Sequence, residues 1–127
     1  MAYWDLGDFF FVEHLAVAKD YQGKRLGSRI MSEFVENANK RIVFEVEDPN
    51  SMEGKEKLDA QRRIMFYLKL GFYVNSSCLY RQPVLNKETD DKPPILILVS
   101  SRGPLTEKQF HFVHKCIMRE IYHVKFS

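Results

Sequence analysis

The sequence predicts an α/β domain with a mixed (α+β) sheet, built on a central parallel β-α-β unit and ending in a C-terminal helix. A nearly continuous apolar stretch over residues 9–18 has the character of a strand buried on both faces. Residues 41–47 alternate as a second strand does, and an amphipathic helical stretch lies between the two. A strand–helix–strand connection of this kind should be parallel and right-handed.

The remaining elements complete the order strand, helix, strand, helix, strand, strand, helix. Residues 1–8 are expected to hold the end of a strand and a turn, and the first helix should cover about residues 26–39. Residues 51–57 are polar and charged, which predicts a surface loop. The other predictions are a helix over 58–70, a strand pair or interrupted strand over 72–74 and 78–84, a charged linker over 86–94, a strand over 95–99 and a final helix from Thr106.

Two helix ends carry specific signals. Thr106 followed by Gln109 makes a capping box, and Leu105 with Phe110 can form the accompanying hydrophobic staple. Gly71 follows the apolar pattern of the preceding helix, and as a glycine C-cap it predicts that the helix ends there. These signals locate the start of the last helix and the end of the one before it.

Length and composition limit the classes of protein. With 127 residues, 45% of them hydrophobic and 28% charged, the chain is expected to form one domain over 1–127. A net charge of +2 without a long basic run predicts no nucleic-acid partner. The apolar stretches are too short for a membrane span and the amino end does not resemble a signal peptide, so we expect a cytoplasmic protein. Cys78 and Cys116 are expected to be a reduced pair.

A basic turn flanked by glycines precedes the first helix. Gly23 and Gly27 bracket Lys24, Arg25 and Leu26. Glycines permit positive φ and a close approach of a ligand to the backbone, and the following helix leaves its first N–H groups unpaired. A pyrophosphate would satisfy those donors, but a plain strand-to-helix connection explains the same glycines equally well.

The stretch HLAVAKDYQGKRLGSRIM resembles the acyl-CoA-binding segment of the GNAT N-acetyltransferases, in which Q/R-x-x-G-x-G/A opens a helix. Gln22 and Gly27 match the outer positions, and Arg25 stands where the family most often has its middle glycine. RRIMFYLKLGFYV resembles the family's later helix, with Tyr67 and Gly71 at matching places, and IVFEVEDPN resembles the strand between them. The resemblance covers residues 9–82.

The resemblance implies the GNAT-like acyl-CoA acyltransferase fold in an N-terminally short form. Either the chain is shortened or a homodimer partner covers the exposed edge of its sheet. The implied activity is transfer of an acetyl group from acetyl-CoA, a cosubstrate, to a small-molecule or peptide amine by direct attack in a ternary complex. The alternative is a catalytically weak acyl-CoA-binding or oligomerisation module. The polar residues 51–57 would be an insertion that either covers the active site or is disordered.

The resemblance also implies roles for individual residues. Tyr67 matches the tyrosine commonly cast as general acid, although a packed aromatic side chain explains it from the residues alone. Glu45 and Glu13 are the candidate bases, with a salt bridge to Arg62 or Arg63 as the alternative for such a carboxylate. Glu47 is the candidate substrate-binding residue. The expected cofactor-binding residues are Leu15, Val17, Gln22, Gly23, Lys24, Arg25, Leu26, Gly27 and Ser28.

No metal is expected. His111 and His114 are three residues apart on the last predicted helix, but no cysteine or carboxylate set completes a site, and a solvated helix face explains them better. A nucleotide-binding protein is the remaining alternative for the glycine turn, yet the chain has neither a Walker-type nor a dinucleotide-type glycine pattern.

Overall fold

A computed structural model of the chain describes residues 3–13, 25–83 and 93–124; for residues 13, 25–28 and 30 it describes the backbone alone. Within these ranges the chain forms five strands and three α-helices. The strands are β1 (Tyr3–Asp5), β2 (Phe9–Glu13), β3 (Arg41–Glu47), β4 (Tyr73–Arg81) and β5 (Ile95–Ser100). The helices are α1 (Arg25–Asn37), α2 (Gly54–Lys69) and α3 (Glu107–Glu120).

All five strands form one sheet in the order β1-β2-β3-β5-β4. β2 and β3 are parallel, with Phe9 opposite Arg41 and Glu13 opposite Glu45, and the other neighbours are antiparallel. The predicted parallel β-α-β unit is therefore confirmed. Since β2 and β3 run the same way, their carboxyl ends lie at the same edge of the sheet.

The sheet is covered on both faces, as the nearly continuous apolar run of β2 requires. On one face, residues such as Val12, Phe44 and Ile97 pack with Tyr67 of α2 and Met31 of α1. On the other face, Phe11, Val43 and Leu98 pack with Val113 and Ile117 of α3. The sheet thus separates α1 and α2 from α3.

The predicted loop over residues 51–57 is wrong. A short 3-10 helix, Pro49–Ser51, follows β3, and α2 begins at Gly54 with Glu53 as its N-cap residue. Residues 53–56 are exposed and charged or small, so the helical pattern of apolar residues is absent from the first turn. The chain leaves the end of the sheet through a tight turn and enters the helix directly.

Three other local predictions are confirmed. Both hydrogen bonds of the capping box between Thr106 and Gln109 are present, and Leu105 and Phe110 pack in the same apolar cluster. Gly71 follows α2 with φ of 89°, the left-handed region that glycine enters without strain. The interrupted strand is the single strand β4, whose register against β5 shifts between Asn75 and Leu79.

Cys78 and Cys116 are both buried free thiols. In the described ranges no helix is long and apolar enough to cross a membrane, and no cluster of His, Cys, Asp and Glu side chains is suited to a metal ion.

Candidate active site

A cavity of about 870 Å³ lies where β3 ends and α2 begins, and the ends of β4 and β5 complete it. Asp48 sets the course of the chain here, because its backbone N–H bonds the Ile95 carbonyl (2.8 Å) and its carboxylate accepts a bond from the Asn50 N–H (3.1 Å). This turn brings the first turns of α2 next to the end of β3. Within the described ranges, the charged side chains that line the cavity are Glu47, Glu53, Glu56, Asp59, Arg63 and Arg81.

The cavity is acidic. Of the charged groups that described residues contribute to its lining, four are carboxylates and two are guanidinium groups. Arg81 also donates a bond to the Pro93 carbonyl (2.9 Å). A cavity with this excess of carboxylates attracts a cationic ligand.

Glu45 points to the face of the sheet that α3 covers. Tyr80 donates a hydrogen bond to its Oε2, and Tyr122, just after α3, donates one to its Oε1. Burial and the adjacent carboxylate hold the pKa of Tyr80 well above its usual value, so its phenol stays a donor. The ring of His114 lies 4.7 Å from that of Tyr80. Glu45 is therefore part of a network between β3, β4 and α3.

Tyr67 lies on the opposite face, fully buried in the core. Its ring centroid is 4.5 Å from that of Phe44 and 5.7 Å from that of Phe72. Burial raises the pKa of its phenol, a shift that the charge of Arg63 partly opposes. Because Phe44 and Glu45 are neighbours on one strand, they face opposite ways, and the sheet stands between Tyr67 and Glu45.

A family model described as an acetyltransferase (GNAT) domain matches residues 1–74. The chain belongs to this GNAT acetyltransferase family. A Bacillus subtilis (strain 168) protein named "Putative acetyltransferase YjbC" is 30% identical over 92 residues, which are 72% of this chain and 45% of that protein. A solved structure, "Putative acetyltransferase from GNAT family from Bacteroides thetaiotaomicron", has a TM-score of 0.73 and 30% identity over 97% of this chain and 65% of its own.

The structure of this GNAT protein describes only some of the predicted cofactor-binding residues. Leu15, Val17, Gln22, Gly23 and Lys24 lie outside the described residues. Residues 25–28 form the first turn of α1, where backbone N–H groups lack intrahelical partners, and their side chains are not described. Their role in binding acetyl-CoA stays a prediction, as do the roles of Tyr67, Glu45 and Glu13 in catalysis.

Some features of this GNAT site could not be read from the sequence. Tyr80 and Tyr122 have no local signal, because they meet Glu45 only through the sheet and the docking of α3. The acidic residues of the first turns of α2 did have one, since EGKEKLD over residues 53–59 is charge-rich. That signal predicts a loop over residues 51–57, which include Glu53 and Glu56, and it does not predict that these residues line one cavity with Glu47.

Proposed function

We propose that the chain transfers an acetyl group from acetyl-CoA to a primary amine that is positively charged in water. The single observation that carries this proposal is the acidic cavity at the carboxyl end of β3. Ligands of open α/β sheets bind beyond the carboxyl ends of the parallel strands. The start of α1 lies at this same edge, because α1 connects the end of β2 to the beginning of the parallel strand β3. Family membership supports the acetyl donor.

Acetyl-CoA and the amine would bind at two different parts of this edge of the sheet. The basic turn before α1 and the N–H groups of its first turn suit the pyrophosphate of acetyl-CoA, as helix N-termini suit anions. The acidic cavity suits the amine, with Glu47 as the predicted recognition residue. The opposite charges of the two regions would steer each substrate to its own part of this edge.

Acetyl transfer requires proton transfers at the amine and at the departing sulfur, besides the exchange of a C–S bond for a C–N bond. A carboxylate takes a proton from the ammonium group, and the free amine attacks the thioester carbon to form the C–N bond. The nitrogen of the tetrahedral intermediate loses a second proton to solvent, and the intermediate collapses with cleavage of the C–S bond. The thiolate of CoA then takes up a proton from an acid, the role proposed for Tyr67. As Tyr67 is fully buried, this role requires the thioester to reach the α2 face of the sheet.

Calorimetric titration with acetyl-CoA tests the donor site. We expect a micromolar Kd, which corresponds to a binding free energy of about −8 kcal/mol. The double substitution Lys24→Ala and Arg25→Ala should weaken binding at least tenfold. The combination of Lys115→Ala and Arg119→Ala on α3 removes the same charge from the other face of the sheet and should bind as the wild type does. Absence of binding by the folded wild-type protein would overturn the proposal.

Turnover is then measured as release of the CoA thiol with spermidine, a lysine-containing peptide and an aminoglycoside as acceptors. Saturable release with at least one of them supports acetyl transfer. Tight binding of acetyl-CoA with no release above hydrolysis would instead identify an acyl-CoA-binding module.

A further inference from the structure

We propose that Glu47 is the catalytic base that deprotonates the acceptor amine, and that Glu45 is a structural anchor for the segment that follows α3. This inference rests on the proposed function and deepens it. It chooses between two carboxylates two residues apart on β3, whose side chains share one face of the strand.

Both carboxylate oxygens of Glu45 are engaged. Tyr80 from β4 binds one and Tyr122 binds the other, so each oxygen faces a phenol rather than an open cavity. To accept a proton from a substrate, Glu45 would have to give up a hydrogen bond in a half-buried position, which costs free energy. The rings of Tyr80, His114 and Phe110 also cover this side of the sheet.

Glu47 has the opposite surroundings. It lines the large cavity, and among the residues that the structure describes no hydrogen bond or ion pair engages its carboxylate. Glu45 is the last residue of β3 with a described partner in β2, and Glu47 lies two positions further along the strand. On the β5 side of β3, Glu47 is opposite Leu96. Its carboxylate is therefore accessible to an amine at the edge where the two parallel strands end.

Charged groups from two other elements line the same cavity as Glu47. The beginning of α2 contributes Glu53, Glu56, Asp59 and Arg63, and the end of β4 contributes Arg81. The carboxylates of α2 would hold the ammonium group while Glu47 removes its proton, directly or through one water molecule. The N–H bond electrons remain on nitrogen for attack on the thioester, and the proton rests on Glu47 until it passes to solvent.

The test compares kcat of matched variants over a range of pH, using the best acceptor of the three amines and saturating acetyl-CoA. Glu47→Gln should lower kcat by about 100-fold or more, the usual contribution of a general base, and should abolish the acid limb of the profile. Glu53→Gln removes the same charge from the cavity; it should raise KM and keep the acid limb. Equal losses of kcat in both variants would overturn the proposal, because charge alone would explain them.

Glu45 is tested through its donors, since Glu45→Gln could fail to fold. Tyr80→Phe and Tyr122→Phe each remove one hydrogen bond and leave the carboxylate in place. If Glu45 were the base, loss of a phenol donor would move the acid limb; we expect the limb to stay where it is while the melting temperature falls. A moved limb, or a Glu47→Gln variant with kcat within about threefold of wild type, overturns the assignment. Failure of the proposed function looks different, because the wild type itself would then bind no acetyl-CoA or release no thiol.

Discussion

Tyr122 donates a hydrogen bond to Glu45, which lies 77 residues earlier in the chain. Tyr80 supplies the second hydrogen bond to the same carboxylate. Three separate parts of the chain, namely β3, β4 and the segment after α3, therefore meet at one charged group. Because the group is half-buried, the loss of either donor should weaken the attachment of α3 to the sheet.

The Tyr122→Phe substitution should lower the free energy of unfolding. It removes one hydrogen bond to a carboxylate and changes no packing atom, so we expect a loss of about 1–2 kcal/mol. Urea denaturation followed by circular dichroism measures it. Tyr73→Phe, on an exposed tyrosine of β4, is the matched control and should change stability by less than about 0.5 kcal/mol. Equal effects of the two variants would contradict the anchoring role of Tyr122.

Asn75 should be the most sensitive polar residue of the sheet. Its buried amide donates to the Leu98 carbonyl (2.9 Å) and the Ser100 hydroxyl (3.1 Å) and accepts from the Leu105 N–H (2.9 Å). The Asn75→Ala substitution removes these three hydrogen bonds and takes the acceptor from the Leu105 N–H, which should cost about 2–4 kcal/mol.

Denaturant melts measure the cost, and Ser76→Ala on the adjacent exposed residue provides the control. A loss below about 1 kcal/mol for Asn75→Ala would show that water replaces these bonds.

His114 should make stability depend on pH. Burial, with a smaller contribution from the charge of His111, lowers the pKa of His114 below its usual 6.5. The unfolded chain therefore binds a proton more readily than the folded one, so the free energy of unfolding falls as the pH is lowered from about 6.5 toward the folded-state pKa. Above 6.5 the residue is neutral in both states and contributes no slope.

The measurement is the free energy of unfolding at several pH values between 5 and 8 for the wild type and for His114→Phe. We expect a shallower slope below 6.5 in the variant. An unchanged slope in His114→Phe would contradict the burial effect.

The charge of the cavity should govern the affinity for a cationic acceptor. With spermidine as the acceptor, Glu56→Gln should raise KM about threefold at low salt, as expected for loss of one exposed ion pair. The effect should shrink at 0.5 M salt, where screening is strong. Glu36→Gln, exposed on α1, is the control, and its KM should match the wild type. A KM for Glu56→Gln that does not depend on salt would argue against electrostatic recognition.

Local pattern was enough to predict most elements of the fold. β3 has the predicted bounds, the capping box at Thr106 starts α3, and Gly71 follows α2 with positive φ. Each of these depends on neighbours within a few residues, whose chemistry is written in the sequence. The family was also recognisable, because its glycine turn and later helix are short contiguous patterns.

The tertiary structure decided which side chains meet. The alternation of β3 predicted that Phe44 and Glu45 face opposite ways, but only the packed structure showed Tyr67 beside Phe44 and two phenols beside Glu45. Such contacts depend on strand order, register and helix docking, which no local pattern encodes. The same holds for the acidic cavity. Its carboxylates come from β3, from the predicted loop over 51–57 and from the start of the predicted helix over 58–70, and the turn at Asp48 brings them together.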